Sequence, residues 1–395
     1  MPRRLITYAL LIIIALILGT LAGWYFFIRS QTVATEDTGT ARGFDTGAAS
    51  PFGAGSGGGN TGAIPSASST SARPAQLWRL AKTPSAGVGF ATTTAGLRVR
   101  FVERATGYIF DSDPVSGNIS RVGGALMPKI YEARIASNGR VLMRSLGEGG
   151  ITTFAGRLSY GTTTSFSGTK LTPNIEDAVA DPKSDNVIYL APAGVGVSVV
   201  SAAWDGDKQK QLASLPVRGW RLLTTADGRL IIAEKAADGV SGYAYELKGS
   251  TLQKLLGPVS GLTVLPQSGG SLLFGSSRPG VTLYARLAAS SSAAALPVAT
   301  VADKCVWMPQ TTIAYCAVPQ TPVIGAFLDR WYRGELHTSD AWWRIDARSG
   351  QAELVFAPSS SVSLDVIDPQ MDSGGEYIAF INNIDLSPWV LRLNK

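Results

Sequence analysis

Few residues in this chain have the types and spacing that chemistry requires. His337 is the only histidine. A Ser-His-Asp triad would have to use it, and no G-x-S-x-G elbow accompanies it. Glu335 and Asp340 flank it, but a zinc site draws on several His or Cys ligands. DSDPVSGN, Asp111 to Asn118, lacks the third in-step oxygen ligand and the closing glutamate of a calcium loop. It reads as a turn between strands, as does WDGDKQ at Trp204–Gln209. GSGGG at Gly55–Gly59 has no Lys-Ser/Thr after it and is no phosphate loop. These residues imply no metal, no cofactor and no catalytic set.

The two cysteines carry more. They stand in KCVWMPQTTIAYCAVP, Lys304 to Pro319. A hairpin with a two-residue turn at Gln310 and Thr311 puts Pro309 opposite Thr312. Counting outward, Cys305 then faces Cys316. Opposed residues lie about 4.5–5.5 Å apart at Cα, inside the disulfide range. Such a bond forms and persists outside the cytoplasm. Two buried free thiols in an apolar hairpin are the alternative. A redox-active pair is not indicated, because there is no C-x-x-C and no basic or helix-terminal setting.

The amino terminus bears on the compartment. Arg3 and Arg4 are followed by an uncharged run from Leu5 to Ile28, long enough for the roughly 20 apolar residues that a bilayer core needs. The run ends in Trp24, Tyr25, Phe26 and Phe27, an interfacial aromatic belt rather than the small residues of a cleavage site. Residues 5–28 therefore read as a retained single-pass anchor after a cytoplasmic stub, residues 1–4. A cleaved signal peptide is the competing reading. Arg3 and Arg4 hold the amino terminus in the cytoplasm and send the rest to the periplasmic or extracellular side. Residues 29–75 are rich in Gly, Ser, Ala, Thr and Pro. They predict a disordered tether with a mean reach of about 35–40 Å. The net charge is +6, but no run of five basic residues occurs, so a nucleic-acid surface is not indicated.

From Gln76 onward, short apolar runs alternate with turns. TTAGLRV, ASNGRVLM, PKSDNVIYL, ADGRLIIAE, SGGSLLFG, PQTTIAYC and DSGGEYIAF place turns at Gly96, Gly139, Asn186, Gly228, Gly270, Thr311 and Gly375. The interval is about 42 residues, the size of one four-stranded propeller blade. Downstream in several units comes an aromatic strand, a polar turn and another strand, as in SAAWDGDKQKQLASL and WWRIDARSGQAELVF. The units resemble the TolB/WD40-like propeller repeats of bacterial envelope proteins, in turns such as TADGR and in RIDARSGQ. The resemblance covers residues 76–395. It implies an all-β propeller, and the turn count implies seven blades, with six or eight as alternatives. The last unit offers only three strands, near Val362–Ile367, Tyr377–Asn382 and Trp389–Leu393. QLWRL, Gln76 to Leu80, is left over and is expected to complete that blade and remove an open edge.

One interval is longer than its siblings by about 20 residues. The excess lies at 319–341, in PQTPVIGAFLDRWYRGELHTSDA. Trp, Tyr and Arg are enriched in binding hot spots, and insertions on a scaffold are where function concentrates. Phe327, Asp329, Arg330, Trp331, Tyr332 and Arg333 are thus the candidate binding residues. The competing reading is a short amphipathic turn that covers its blade. Glu132, Arg134, Arg218, Arg221 and Lys304 suggest a charged rim to a central channel. The inner strands are otherwise poor in acids and lack histidine. Two classes of function stay open. One is a scaffold that binds an envelope protein or a cell-wall polymer. The other is a channel-centred lyase or glycosidase acting on an envelope polymer.

Overall fold

The computed structural model describes residues 75–393, apart from 125, 137, 138, 161–163 and 291. The anchor and most of the tether inferred above lie outside the described residues, and no described helix is long and apolar enough to cross a membrane. Strands β1–β28, numbered in chain order, form seven four-stranded antiparallel sheets. The first strand of each blade is innermost. These strands are β2 (Ser85–Thr93), β6 (Ile130–Ile135), β10 (Ala178–Ala180), β14 (Trp220–Thr224), β18 (Thr263–Pro266), β22 (Cys305–Trp307) and β26 (Val366–Met371). All seven contribute residues to one central cavity of about 590 Å³.

The turns that mark the repeat have a steric basis. Gly228 and Gly375 take φ of 80° and 66°, a region that side chains with a Cβ avoid. In the last of these turns the Asp372 carboxylate accepts the amides of Gly374, Glu376 and Tyr377. The chain reverses there because its backbone donors are met by one side chain.

The core is not one centre but seven apolar layers, one between each pair of adjacent blades. Val102, Ile109, Ile130, Val141 and Met143 fill one of them. Val199, Leu215, Trp220, Leu222 and Ile232 fill another. Alternate residues of each strand face opposite neighbours, so Ile231 and Ile232 serve different layers. Each blade is covered on both faces only when the ring is complete.

Closure works as the leftover strand suggests. β1 (Leu77–Arg79) pairs with β28 (Ser387–Arg392) and becomes the outer strand of the blade that holds β26. Arg79 pairs with Asp385 at 3.2 Å across the seam. Two strand boundaries in this blade differ from expectation, and β28 spans Ser387–Arg392 rather than Trp389–Leu393. The inner strand of this blade spans Val366–Met371, not Val362–Ile367. Val362 is held in a turn by the Ser359 carbonyl, so the ladder starts later.

The cysteine register is as counted. Cys305 faces Cys316 in the pairing of β22 with β23 (Ile313–Pro319), and the two are disulfide-bonded. The bond sits inside an apolar layer with Leu273, Ala314 and Ile345. It closes a short loop, which corresponds to about 2–3 kcal/mol of stability. Replacing both cysteines by alanine should lower the unfolding free energy by that amount in a urea titration, with the propeller still folded. An unchanged midpoint would mean that the bond contributes nothing.

Candidate functional site

All inner strands start at the same end of the ring, and the loops that gather there form one mouth of the cavity. The insertion is one of them. It joins β23 to β24 (Asp340–Asp346) and carries the short helix α1 (Leu328–Tyr332). Phe327, Leu328 and Trp331 pack with Val301 and with half-buried Ala236, Val281, Val323, Leu336 and Ile367. Trp331 stacks on Phe327 with ring centres 5.7 Å apart. The helix is therefore pressed against the ring by its apolar face.

Polar contacts fix its position. Asp329 and Asp238 exchange amide-to-carboxylate hydrogen bonds, both 3.1 Å long. The Trp331 indole donates to Asp365 Oδ1 at 2.8 Å. The Tyr332 hydroxyl donates to Asp303 Oδ2 at 2.6 Å, and Arg221 donates to the same oxygen at 2.7 Å. Enclosure of that hydroxyl and the charge of Asp303 push the Tyr332 phenol well above its ordinary range, so it remains a donor. The Asp303 charge likewise raises Arg221, outweighing burial.

The six candidate residues thus divide. Phe327 and Trp331, 1% and 3% exposed, are spent in packing. Asp329 is half-buried and engaged with Asp238. Arg330, Tyr332 and Arg333 are exposed, and Arg333 is paired with Glu335 at 2.7 Å.

The expected rim is correct in part. Glu132, Arg134 and Arg221 line the cavity. Arg218 is exposed and ion-pairs with Glu176. Lys304 does not belong to the rim, because its side chain is fully buried. Its ammonium donates to Asp340 Oδ2 and Asp365 Oδ1 at 2.6 Å each and to Thr338 at 2.8 Å. It also lies 4.8 Å from the Trp331 ring centre. Asp365 further accepts from Thr338 and Asn383, and His337 Nδ1 lies 3.0 Å from its Oδ2. The lone histidine thus borders a buried ion cluster. Burial pushes the Asp340 carboxyl up. For Asp365 the opposing pull of Lys304 and its hydrogen-bond donors outweighs burial and holds it below the usual range.

Sequence reading missed the acids of the mouth. Asp177 and Asp303 stand just before their inner strands. Asp177 Oδ1 accepts from Arg134 at 2.8 Å, and its Oδ2 accepts the Leu222 amide at 2.7 Å. Asp368 lies in a bulge of β26, between the pairs Ile367–Ile381 and Gln370–Ala379. No short motif marks any of them; only their position one or two residues out of step with the apolar alternation is a signal.

Glu132 is held by Arg134 at 2.8 Å and Arg144 at 2.5 Å. Burial alone would raise its pKa, but the two guanidinium charges outweigh it and bring it from 4.5 to about 2. Its stabilising effect is therefore complete above the ordinary carboxyl range and is lost as pH falls from about 4.5 toward 2. Glu132→Gln should destabilise the propeller at neutral pH by up to about 3 kcal/mol. The gap to wild type should close across that acid window in denaturant titrations. A gap independent of pH would contradict the assignment.

No protein-family model and no curated protein matches the chain. Solved structures match at the level of fold. The tricorn protease aligns over 81% of this chain at 12% identity and TM-score 0.50, and the chain spans only 34% of that protein's length. An oligogalacturonate lyase in complex with manganese aligns over 81% of this chain and 93% of its own at 9% identity and TM-score 0.51. TolB from Acinetobacter baumannii aligns over 78% and 79% at 10% identity and TM-score 0.42. The first two similarities support the propeller fold alone and carry no activity with them.

Proposed function

We propose that this chain is a tethered binding module of the cell envelope. Its propeller recognises an envelope protein or a cell-wall polymer at the channel mouth beside α1. Residues 5–28 anchor it, and residues 29–75 hold the ring off the membrane. One observation supports the choice of surface. The single long break in the repeat is the segment that borders the cavity mouth, with its apolar side packed, Tyr332 bonded to Asp303 within the mouth, and Arg330 and Arg333 left exposed. These residue types fit recognition rather than catalysis. The disulfide is consistent with an oxidising compartment.

The channel-enzyme reading has less support. A lyase or glycosidase needs a pair of groups that can exchange protons. In the cavity lining, Glu132 and Asp303 are each neutralised by arginine. Asp368 is then the one lining carboxylate among the described residues without a salt bridge.

A photo-crosslinking residue at Arg330 or Arg333 in intact envelopes tests the reading. The same residue at Val115, 62% exposed in a turn at the far end of the ring, is the control. Adducts from the first two sites alone are expected. Equal yields from all three, or none, would overturn the assignment of the surface.

A further inference from the structure

Charge accounting at the cavity mouth leaves two side chains of opposite sign unmatched. Arg134 is paired with Glu132 and Asp177, and Arg221 with Asp303. Arg104 lines the same cavity, yet no carboxylate among the described residues lies within ion-pair distance of it. Its backbone is fixed by Pro84 and Ile130, and its Nε donates to the Ile130 carbonyl at 3.0 Å. Among the described residues, the terminal nitrogens of the guanidinium have no acceptor.

Asp368 is the counterpart. Gln370 donates to its Oδ1 at 2.9 Å, and no cation pairs with it. Its backbone has φ of 49°, a conformation that non-glycine residues rarely adopt, directly before Pro369. The bulge that creates this strain also takes Asp368 out of the strand ladder and into the cavity lining. Loss of water around the carboxyl outweighs the pull of Arg134 and leaves it above its ordinary range, although no cation is bonded to it among the described residues. Glu132 and Arg221 also act on it, and their effects oppose each other.

We propose that the cavity mouth takes a small zwitterion, an amino acid or short peptide with free ends. Asp368 receives the ammonium and Arg104 the carboxylate. A cavity of about 590 Å³ has room for such a ligand. The cavity shares its mouth with α1, but Arg104 and Asp368 lie outside that helix, so their variants test this site apart from Arg330 and Arg333.

Isothermal calorimetry on the full chain tests it, with alanine, alanyl-alanine and trialanine as probes. Each peptide is compared with its N-acetyl and C-amide forms. At least one free form should bind below about 10 mM, and blocking either end should weaken it about tenfold or more. Asp368→Asn keeps the left-handed backbone accessible and should cost the free peptide about tenfold while leaving the N-acetyl form unchanged. Arg104→Gln should do the same with respect to the C-amide. Asp368→Gly should raise the melting temperature by removing strain while still losing affinity for the free peptide, which separates binding from folding. No heat from any free form, or blocked forms binding as tightly, would overturn the proposal. Crosslinks at Arg330 with silent calorimetry would sink the zwitterion site and leave the partner surface standing.

Discussion

The arrangement at the channel mouth depends on one buried ammonium group. Lys304 is removed from water and bonded to two aspartates, a threonine and the face of a tryptophan. A charge so placed is tolerated only if its partners stay, and losing one partner from such a cluster typically costs about 3–5 kcal/mol. The partners come from different parts of the chain. Thr338 and Trp331 belong to the insertion, Asp340 opens β24, and Asp365 precedes β26 of the next blade. The cluster is thus where insertion, sixth blade and seventh blade are joined. It is not fully satisfied, since Asp340 Oδ1 is buried with no hydrogen-bond partner among the described residues. Burial accordingly pushes the Asp340 carboxyl up despite the opposing charge of Lys304.

Around this junction the ring is held by different physics. Seven apolar layers supply non-directional attraction between blades, and closure by β1 leaves no blade with three strands. Such layers fix the blades to one another but cannot orient a loop. Orientation at the mouth comes from directional contacts: the Asp329–Asp238 exchange, the Tyr332–Asp303–Arg221 chain and the shared Asp365. The insertion is thus held by its inward residues, while Arg330 and Arg333 stay exposed.

The blade count, the closing strand and the cysteine pairing were legible because they depend on local period and register. Turns recurring about every 42 residues and a hairpin centred on Gln310 need no knowledge of distant residues. The insertion was legible as a break in that period, and the packing reading holds for Phe327 and Trp331, which are buried, while Arg330 and Arg333 are exposed. The ionic mouth was not legible. Lys304 at the start of a strand reads as a rim residue, and its burial requires Asp340 and Asp365, 36 and 61 residues further on. Asp177 and Asp303 precede their strands, where acids are ordinary turn residues. Asp368 reads as an unremarked position in VIDPQM; only the bulge in β26 gives it meaning. Long-range pairing of charges leaves no periodic trace, so sequence spacing does not reveal it.

The Lys304 cluster holds α1 on the channel mouth. Amide hydrogen exchange of Lys304→Met compared with wild type tests it most directly. Amides from Leu328 to Gly334 should lose their protection in the variant. Those of β27 (Tyr377–Asn382) should stay protected, because the apolar layers are untouched. Unchanged protection across α1, or loss of protection in α1 and β27 together, would show that the cluster does not hold the insertion as a separate element.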